Sequence, residues 1–370
     1  MKVPFFDYKQ LYLRDRKAIL KIFNQISSQG AFILQKEVNI FEKKICSYTK
    51  SKYAISVANG TDAMQIYLKA HDIKRGDEVI LSSHTMIATA SAIKFCGATP
   101  VPVDIKNFDG LIDPEEIEKK INKKTKAIIV THLNGRTCEM DRIVKISKRY
   151  KLKLFEDAAQ ALGSKYKNKF AGTFGDASSI SFYPAKILGC FGDGGIILTN
   201  NRLMANKMRI MRDHGRDKNG SIKYWGYNSR LDNIQAGILN HFFLDFKNII
   251  KKRRKIAKIY NENFKDIADI KLPILDKSSK KNFDTFQNYE IQAKNRDQLR
   301  KFLLKCGVGT LIPWNGIAIN KLKNLGINFK LKNSDKMFKE FLMLPMNNFL
   351  DSAQIYYVAD CIKKFYKFKV

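Results

Sequence analysis

The chain has 370 residues, of which 45% are hydrophobic and 28% charged, a composition typical of a globular protein with room for two domains. Its longest apolar runs, such as residues 127–130, are far shorter than the roughly 20 residues that a membrane-spanning helix needs. The opening MKVPFFDYKQ lacks the apolar stretch of a signal peptide. We therefore expect a cytoplasmic protein with no membrane partner.

The formal net charge of +32 makes nucleic acid the obvious candidate partner, because a strongly basic surface attracts polyanions. The lysines are nevertheless spread along the whole chain, and no RNA-binding or zinc-finger pattern accompanies them. We interpret the charge as solvated surface and predict no nucleic-acid partner. The six cysteines form no C-x-x-C pair, so we predict free thiols and no metal site.

Apolar runs bounded by turn residues alternate with helical patterns through the first half of the chain. They predict strands over residues 53–59, 78–83, 99–105, 126–133 and 153–159. These runs are continuously apolar, as expected when helices cover both faces of a parallel sheet. The sequence therefore predicts an α/β domain with a largely parallel sheet.

The pattern changes near Asp232, where DNIQAGILNHFFLDFKNIIKKRRKIAKIYNENF predicts one long amphipathic helix. Shorter elements follow it, and we assign them to a second, smaller domain. We place the large domain at residues 1–245 and the small C-terminal domain at residues 246–370.

Ligands of open α/β sheets bind at the carboxyl ends of the strands, and the stretch ANGTDA is predicted to lie there. A strand ends at Asn59-Gly60, and a helix begins at Thr61. Exposed amides at a helix start hold an anion, and glycine lets the backbone approach it closely, which indicates a phosphate site. The same segment is also ordinary turn chemistry, so both interpretations stay open at this point.

Two further stretches are predicted at the same edge. LFEDAAQALGS delivers Asp157 from a strand, either to hold a cationic ring nitrogen or, with Glu156, to cap a following helix. SFYPAKILG carries Lys186 in a turn between two strands, flanked by apolar residues. Loss of water around this amine would lower its pKa and favour Schiff-base chemistry.

A phosphate cradle, a strand-end aspartate and an apolar-flanked lysine, in that order, are the parts that a pyridoxal phosphate enzyme needs. The cofactor acts as an electron sink; the lysine holds it as an imine, and the aspartate keeps its pyridine nitrogen charged.

Several stretches resemble the successive motifs of the pyridoxal-phosphate-dependent nucleotide-sugar aminotransferases, the DegT/DnrJ/EryC1/StrS family. They are NGTDAM, HTMIATASAI, THLNGRTCEMD, EDAAQALGS, SFYPAKILGCFGDGGIILTN, MRDHGRD and GYNSRLDNIQAGIL. The resemblance runs from about Phe5 to the C-terminus and is dense between Asn59 and Leu239. It implies fold type I, a three-layer α/β/α arrangement with a mostly parallel central sheet and a smaller C-terminal α+β domain. It also implies a homodimer whose active site is shared across the interface.

The resemblance assigns cofactor roles to particular residues. Lys186 would form the imine, Asp157 would pair with the pyridine nitrogen, and Gln160 would bond the ring hydroxyl. The phosphate would be held by Ser181, by the backbone at Gly60 and Thr61, and by Asn228 of the partner, with Arg230 near the same interface. The chain departs from the family at Met86, where an aromatic residue usually covers the cofactor ring; a methionine thioether can still cover it.

The resemblance also implies the reaction. An amino donor, L-glutamate, leaves its amine on the cofactor and departs as 2-oxoglutarate, while Lys186 moves the proton. A nucleotide-linked keto-sugar then receives the amine. A related 3-dehydrase has histidine in place of this lysine, so Lys186 favours amination.

The segment GTLIPWNGIAIN resembles members that act on dTDP-linked 3-keto-6-deoxyhexoses, which predicts a dTDP-3-amino-3,6-dideoxyhexose as product. Amination at C-4 of a UDP-, GDP- or dTDP-4-keto-6-deoxyhexose is the alternative, and a non-catalytic binding or regulatory protein on the same fold is a remote one. The candidate substrate contacts are His84, Tyr183, His214, Arg230 and Trp314. For the histidines a structural role is the competing interpretation, and Trp314 could equally be a core aromatic residue.

Overall fold

The computed structural model describes residues 1–275 and 282–367. Its central sheet contains β1 (Tyr53–Val57), β2 (Glu78–Ser82), β3 (Thr99–Val103), β4 (Thr125–Thr131), β5 (Lys153–Asp157), β8 (Ala177–Ser181) and β9 (Gly195–Thr199). A short ribbon, β6 (Lys165–Tyr166) and β7 (Lys169–Phe170), lies between β5 and β8 in sequence. The order across the sheet is β1-β9-β8-β5-β4-β2-β3. Both pairings of β9 are antiparallel and the others are parallel, so the predicted mostly parallel sheet is confirmed.

Helices cover both faces of this sheet. They are α1 (Tyr8–Ser27), α2 (Lys36–Thr49), α3 (Gly60–Ala70), α4 (Ile87–Phe95), α5 (Pro114–Lys120), α6 (Met140–Arg149), α7 (Arg202–Arg212) and α8 (Asn233–Phe242). Successive residues of a strand point to opposite faces. In β4, Ala127 and Ile129 pack with α3, α4 and α7, whereas Ile128 and Val130 pack with α5 and α6. The continuously apolar strands thus fill cores on both faces of the sheet, and the predicted three-layer fold is confirmed.

The parallel strands bring their carboxyl ends to one edge of the sheet. Ser82, Thr131, Asp157 and Ser181 are the last residues of β2, β4, β5 and β8. The antiparallel β9 begins at the same edge with Gly195, which is paired with Ser181. This edge therefore collects the ends of separate chain segments, as the sequence predicted for the ligand side.

The predicted single helix beginning near Asp232 is wrong in one respect. A 3-10 turn at Phe243–Asp245 separates α8 from α9 (Phe246–Phe264). Apolar residues continue across the turn, since Phe242 and Phe246 both lie in the core of the large sheet. Hydrophobic patterning alone therefore does not mark the break.

The C-terminal part has its own antiparallel sheet and core. Its sheet contains β10 (Ile270–Lys271), β11 (Tyr289–Ala293) and β12 (Phe341–Leu344), and its helices are α10 (Arg296–Lys305), α11 (Lys332–Met337) and α12 (Ser352–Lys367). Val3 is buried in this core and pairs with Val308, so the start of the chain crosses to the C-terminal part. The domain boundary between residues 245 and 246 stays a prediction. In the described part of the chain, no helix is both long and apolar enough to cross a membrane.

Candidate active site

A cavity of about 500 Å³ opens at the carboxyl edge of the central sheet, between the sheet and the C-terminal part. Most of the residues predicted for the site line it: Gly60, Thr61, Met86, Asp157, Gln160, Ser181, Tyr183, Lys186 and Trp314. These residues come from five separate stretches of sequence, so the fold has assembled them. A volume of this size is within the range of sites for cofactors and small ligands.

Lys186 lies in the loop that joins β8 to β9, and its side chain is half-buried. The backbone N–H of Lys186 donates to the carbonyl of Tyr183 at 2.8 Å, which closes the turn that presents the amine. Burial lowers the pKa of the Lys186 amine, and the charge of Asp157 partly offsets this shift. The amine is therefore more easily deprotonated than a surface lysine, as a nucleophile requires.

Asp157 is buried at the end of β5, and its two carboxylate oxygens have separate partners. The hydroxyl of Thr89 donates to Oδ2 at 3.0 Å, and the backbone N–H of Ala159 donates to Oδ1 at 3.2 Å. Burial raises the pKa of Asp157, while Ala159 N–H, Lys186 and Thr89 act in the opposite direction. A cation in the cavity would favour the charged carboxylate, which is the role expected of a partner for a ring nitrogen.

The alternative in which Glu156 and Asp157 cap a helix is wrong, because a series of turns rather than a helix follows β5. Glu156 instead accepts backbone N–H groups of Gly172, Phe174 and Gly175 at 2.8, 2.6 and 2.6 Å. His132 lies 2.8 Å from the same carboxylate. Glu156 thus fixes the neighbouring loop beneath the sheet edge, and Asp157 alone of the two acids faces the cavity.

The start of α3 lies beside Ser181 at the edge of the cavity. The side chain of Asn59 caps this helix by accepting the backbone N–H of Asp62 at 2.8 Å. A Cβ on Gly60 would lie 3.4 Å from Cβ of Ser181, so the first turn of the helix and the serine are neighbours. Helix-start amides, a helix dipole and a hydroxyl together suit a phosphate group.

Gln160 lines the cavity from a turn rather than from a helix. Its Oε1 accepts the backbone N–H of Asn134 at 2.9 Å and the Nδ2 group of Asn288 at 3.4 Å. These bonds occupy the oxygen, which leaves the Nε2 group to donate into the cavity. The sequence did not identify Asn134, Asn288 or Thr89, because each acts only through the fold.

Met86 and Trp314 lie on the walls of the cavity. Met86 precedes α4 and is 49% exposed, so its thioether is free to cover a ring bound in the cavity. Trp314 is only partly buried, and its backbone φ of 52° lies in the left-handed region, as does that of Asn315. Bulky residues seldom adopt this conformation without a functional constraint, which favours a binding role over a pure core role for Trp314.

His84 does not line the cavity of the single chain, so its predicted substrate contact stays a prediction. The ring is fully buried outside the cavity, stacks on Phe341 with ring centres 4.6 Å apart, and has Nδ1 3.2 Å from the carbonyl oxygen of Gly110. Burial lowers its pKa to about 3, so the ring is neutral. A carbonyl only accepts, so Nδ1 carries the proton and Nε2 faces Glu290, 3.6 Å away.

This buried contact leads to a stability prediction for Glu290→Gln. Burial raises the pKa of Glu290 from its ordinary value of 4.5 to about 7. The folded chain therefore holds a proton that the unfolded chain has lost, and stability falls as the pH rises from about 4.5 to about 7. Glutamine carries no such charge, so the variant gains about 3 kcal/mol over wild type between pH 5 and pH 8.5. Urea unfolding at both pH values measures this, and a constant difference between the two proteins contradicts it.

Three further residues predicted for the site lie outside the cavity of the single chain. His214 and Asn228 are exposed, and neither lines the cavity. Arg230 donates to Asp213 at 2.8 Å. Asn228 and Arg230 are expected at a dimer interface and His214 near the sugar, and these roles stay predictions.

The residues around the cavity fit pyridoxal phosphate. A helix start beside Ser181 suits its phosphate, a buried carboxylate suits its ring nitrogen, and an amine of lowered pKa suits its aldehyde. The contacts that hold these three groups in place are all made by residues of the chain.

Comparison with known proteins gives the same class. A model of the DegT/DnrJ/EryC1/StrS aminotransferase family matches residues 14–363. The chain is 37% identical to the pleiotropic regulatory protein of Geobacillus stearothermophilus, with 99% of each chain covered. It is 38% identical to the dTDP-3-amino-3,6-dideoxy-alpha-D-galactopyranose transaminase of Aneurinibacillus thermoaerophilus, covering 98% of this chain and 99% of that one. It is 34% identical to the GDP-perosamine synthase of Escherichia coli O157:H7, with 93% of each chain covered.

Solved structures agree in fold. The crystal structure of S. venezuelae DesV in complex with a ketimine intermediate matches with a TM-score of 0.94 at 31% identity over 99% of both chains. NtdA from Bacillus subtilis with bound cofactor PMP matches with a TM-score of 0.87 at 28% identity, over 99% of this chain and 85% of that one. The fold is therefore that of an aminotransferase. The chain belongs to the DegT/DnrJ/EryC1/StrS aminotransferase family, whose members depend in general on pyridoxal phosphate.

Proposed function

We propose that the chain uses pyridoxal phosphate to transfer an amino group from L-glutamate to C-3 of a dTDP-3-keto-6-deoxyhexose. The observation that carries the proposal is the placement of Lys186, Asp157 and the start of α3 beside Ser181 around one cavity. The choice of sugar rests on the Aneurinibacillus relative, whose name specifies a dTDP-linked 3-amino-3,6-dideoxy sugar. Trp314 in the cavity wall is the residue through which we expect the sugar to be selected.

The residues divide the work between binding and proton transfer. When bound, pyridoxal phosphate supplies an electron sink that stabilises the negative charge left when a carbon loses its proton. Asp157 supplies the negative charge that favours a protonated ring nitrogen. Lys186 holds and returns the proton at Nζ, since burial brings its pKa closer to the working pH. Ser181 and the start of α3 fix the phosphate, so the amine meets the reacting carbon in one orientation.

We also infer that two chains form the working unit. Large apolar side chains are exposed on α1, on the loop that follows it and on the loop before α8; they include Phe23 (50%), Phe32 (47%) and Trp225 (98%). Such patches on a single chain mark interaction surfaces. Asn228 lies three residues from Trp225, so pairing that covers this loop would carry it toward the partner's phosphate site. A mass in solution of about twice 42.6 kDa tests the inference.

The regiochemistry is tested by product analysis. The purified chain is given L-glutamate with dTDP-linked 3-keto and 4-keto-6-deoxyhexoses in separate reactions, and NMR locates the new amine. We expect amination at C-3 and at most slow turnover of the 4-keto sugar. A nitrogen at C-4 would overturn the proposed position and favour the alternative substrate class, for which GDP-linked relatives provide a precedent.

A regulatory function is the second candidate, because one relative is named a pleiotropic regulatory protein. The two candidates differ in colour. An aminotransferase binds pyridoxal phosphate and becomes yellow. Borohydride bleaches it by reducing the imine bond that joins the cofactor to the lysine. A chain that stays colourless with added pyridoxal phosphate and shows no amine transfer contradicts the enzyme proposal.

A further inference from the structure

We propose that Gln287, a residue of the C-terminal part, is a positioning residue that holds Lys186 at the angle needed for reaction. This inference rests on the proposed function. It arises from the two hydrogen bonds that the Gln287 side chain makes to the backbone on either side of the lysine. Oε1 accepts the N–H of Ile187 at 2.6 Å, and Nε2 donates to the carbonyl of Ala185 at 2.8 Å.

These two bonds fix the peptide planes that flank the reactive residue. The side chain amide is buried, so water competes little for either bond. The Lys186 amine interacts with the charge of Asp157, and a charge–charge interaction alone does not fix the direction of a long side chain. The orientation of the amine therefore depends on the backbone, and Gln287 is the side chain that restrains the backbone here.

The segment that carries Gln287 is itself tightly held. Phe286 has a φ of 55°, an unusual value for an aromatic residue, and this places the next side chain against the lysine loop. Arg253 donates to the carbonyl of Gln287 at 2.8 Å and to that of Phe286 at 3.2 Å. A Cβ on Gly135 would lie 2.7 Å from the backbone nitrogen of Gln287, so this glycine allows the close approach.

The neighbouring residue Asn288 makes similar contacts with Gln160, a second side chain that lines the cavity. Its Nδ2 group donates to Asn134 Oδ1 at 2.9 Å and lies 3.4 Å from Gln160 Oε1. Gln287 thus contacts the backbone on both sides of Lys186, and the next residue, Asn288, contacts Gln160 and its partner Asn134. A shift of the C-terminal part would move both groups together, which couples the small sheet to the geometry of the cavity.

The chain offers a matched control in Gln235. Its Oε1 accepts the N–H of Phe191 at 2.9 Å, and its Nε2 donates to the carbonyl of Phe191 at 3.2 Å. Phe191 belongs to the same loop as Lys186 but lies five residues further on, outside the cavity. Gln235→Met therefore removes the same kind of bonds from the same loop without releasing the lysine.

The first experiment is hydrogen exchange on the cofactor-free chain. In Gln287→Met we expect the Ile187 amide to lose protection while the Phe191 amide keeps it, and in Gln235→Met the reverse. Gln287→Glu retains an oxygen that accepts the N–H of Ile187, so the Ile187 amide stays protected in this variant. Unchanged protection of Ile187 in Gln287→Met would overturn the proposed bonds, whatever the enzyme does.

The second experiment uses the loaded enzyme. We expect Gln287→Met to lower kcat by about a hundredfold, because a displacement of about 1 Å at a reacting group has an effect of that size. The KM for the keto-sugar stays within about twofold, since the substrate surface is unchanged. The fraction of Lys186 fixed to limiting pyridoxal phosphate by borohydride falls as well, and Gln235→Met leaves all three quantities near wild type. Equal losses in both variants would reduce Gln287 to a general stabiliser of the loop.

The two failures are distinguishable. If the wild-type chain fixes no pyridoxal phosphate, the proposed function fails while hydrogen exchange still decides the role of the bonds. If wild type is fully active and Gln287→Met matches it, the positioning role fails and the proposed function stands.

Discussion

Replacing Lys186 by alanine is expected to lower transamination by about four orders of magnitude. A positioned acid–base group contributes up to ~10⁴-fold to a rate, and Lys186 is the lysine that lines the cavity beside Asp157. The variant also loses the covalent attachment of the cofactor, so borohydride no longer adds mass to the chain. Steady-state kinetics and intact-protein mass spectrometry measure the two effects. Turnover within tenfold of wild type would rule out the assignment of Lys186.

Lys145→Ala provides the comparison, because Lys145 is exposed on α6 and does not line the cavity. We expect it to retain full activity.

The stability of the cofactor-free Lys186 variant separates chemistry from folding. The folded-state pKa of Lys186 lies below its unfolded value, so protonation favours the unfolded chain and stability rises with pH between the two. Removing the amine removes that cost, so Lys186→Met is at least as stable as wild type at neutral pH.

The pattern of apolar strands and the turns that follow them predicted the parts of the site that lie at or just after the strand ends. Asp157 follows an apolar run and Lys186 lies in a turn between two such runs, so both positions follow from the strand pattern and the parallel topology. Gly60 and Ser181 are separated by 121 residues in sequence, yet both were placed at the same edge by the same reasoning. In an α/β sheet the carboxyl ends of parallel strands share one edge, which makes such predictions possible.

The remaining features depend on contacts that sequence does not display. Gln287 reaches the lysine loop from 100 residues further along the chain, and nothing in TFQNYEI distinguishes its amide from any other. His84 is a candidate substrate contact in the sequence, yet it does not line the cavity. Its neighbour Thr85 lines the cavity instead, while the His84 ring turns toward Phe341. The break at Phe243 was missed because apolar residues continue through it.

The isosteric change Asp157→Asn isolates the charge of the aspartate and is expected to lower kcat by about a hundredfold to a thousandfold. The carboxamide retains both contacts, since its oxygen accepts from Ala159 and its Nδ2 group donates to the Thr89 hydroxyl. What disappears is the negative charge that favours a protonated ring nitrogen, and a charge preorganised in a buried site contributes several kcal/mol to catalysis. Steady-state kinetics with saturating pyridoxal phosphate measures the loss.

The stability of the cofactor-free Asp157→Asn chain, unlike its activity, is expected to stay equal or rise. Burial raises the pKa of Asp157, so the folded chain resists losing a proton, and wild-type stability declines as the pH rises from the unfolded pKa through the folded one. Asparagine has no proton to lose, so at pH 7 the variant unfolds at the same temperature as wild type or higher. Loss of activity with retained or increased stability identifies Asp157 as a group kept for its charge. Equal loss of both would instead make it a structural acid, because a charge required by the fold stabilises the chain without any cofactor.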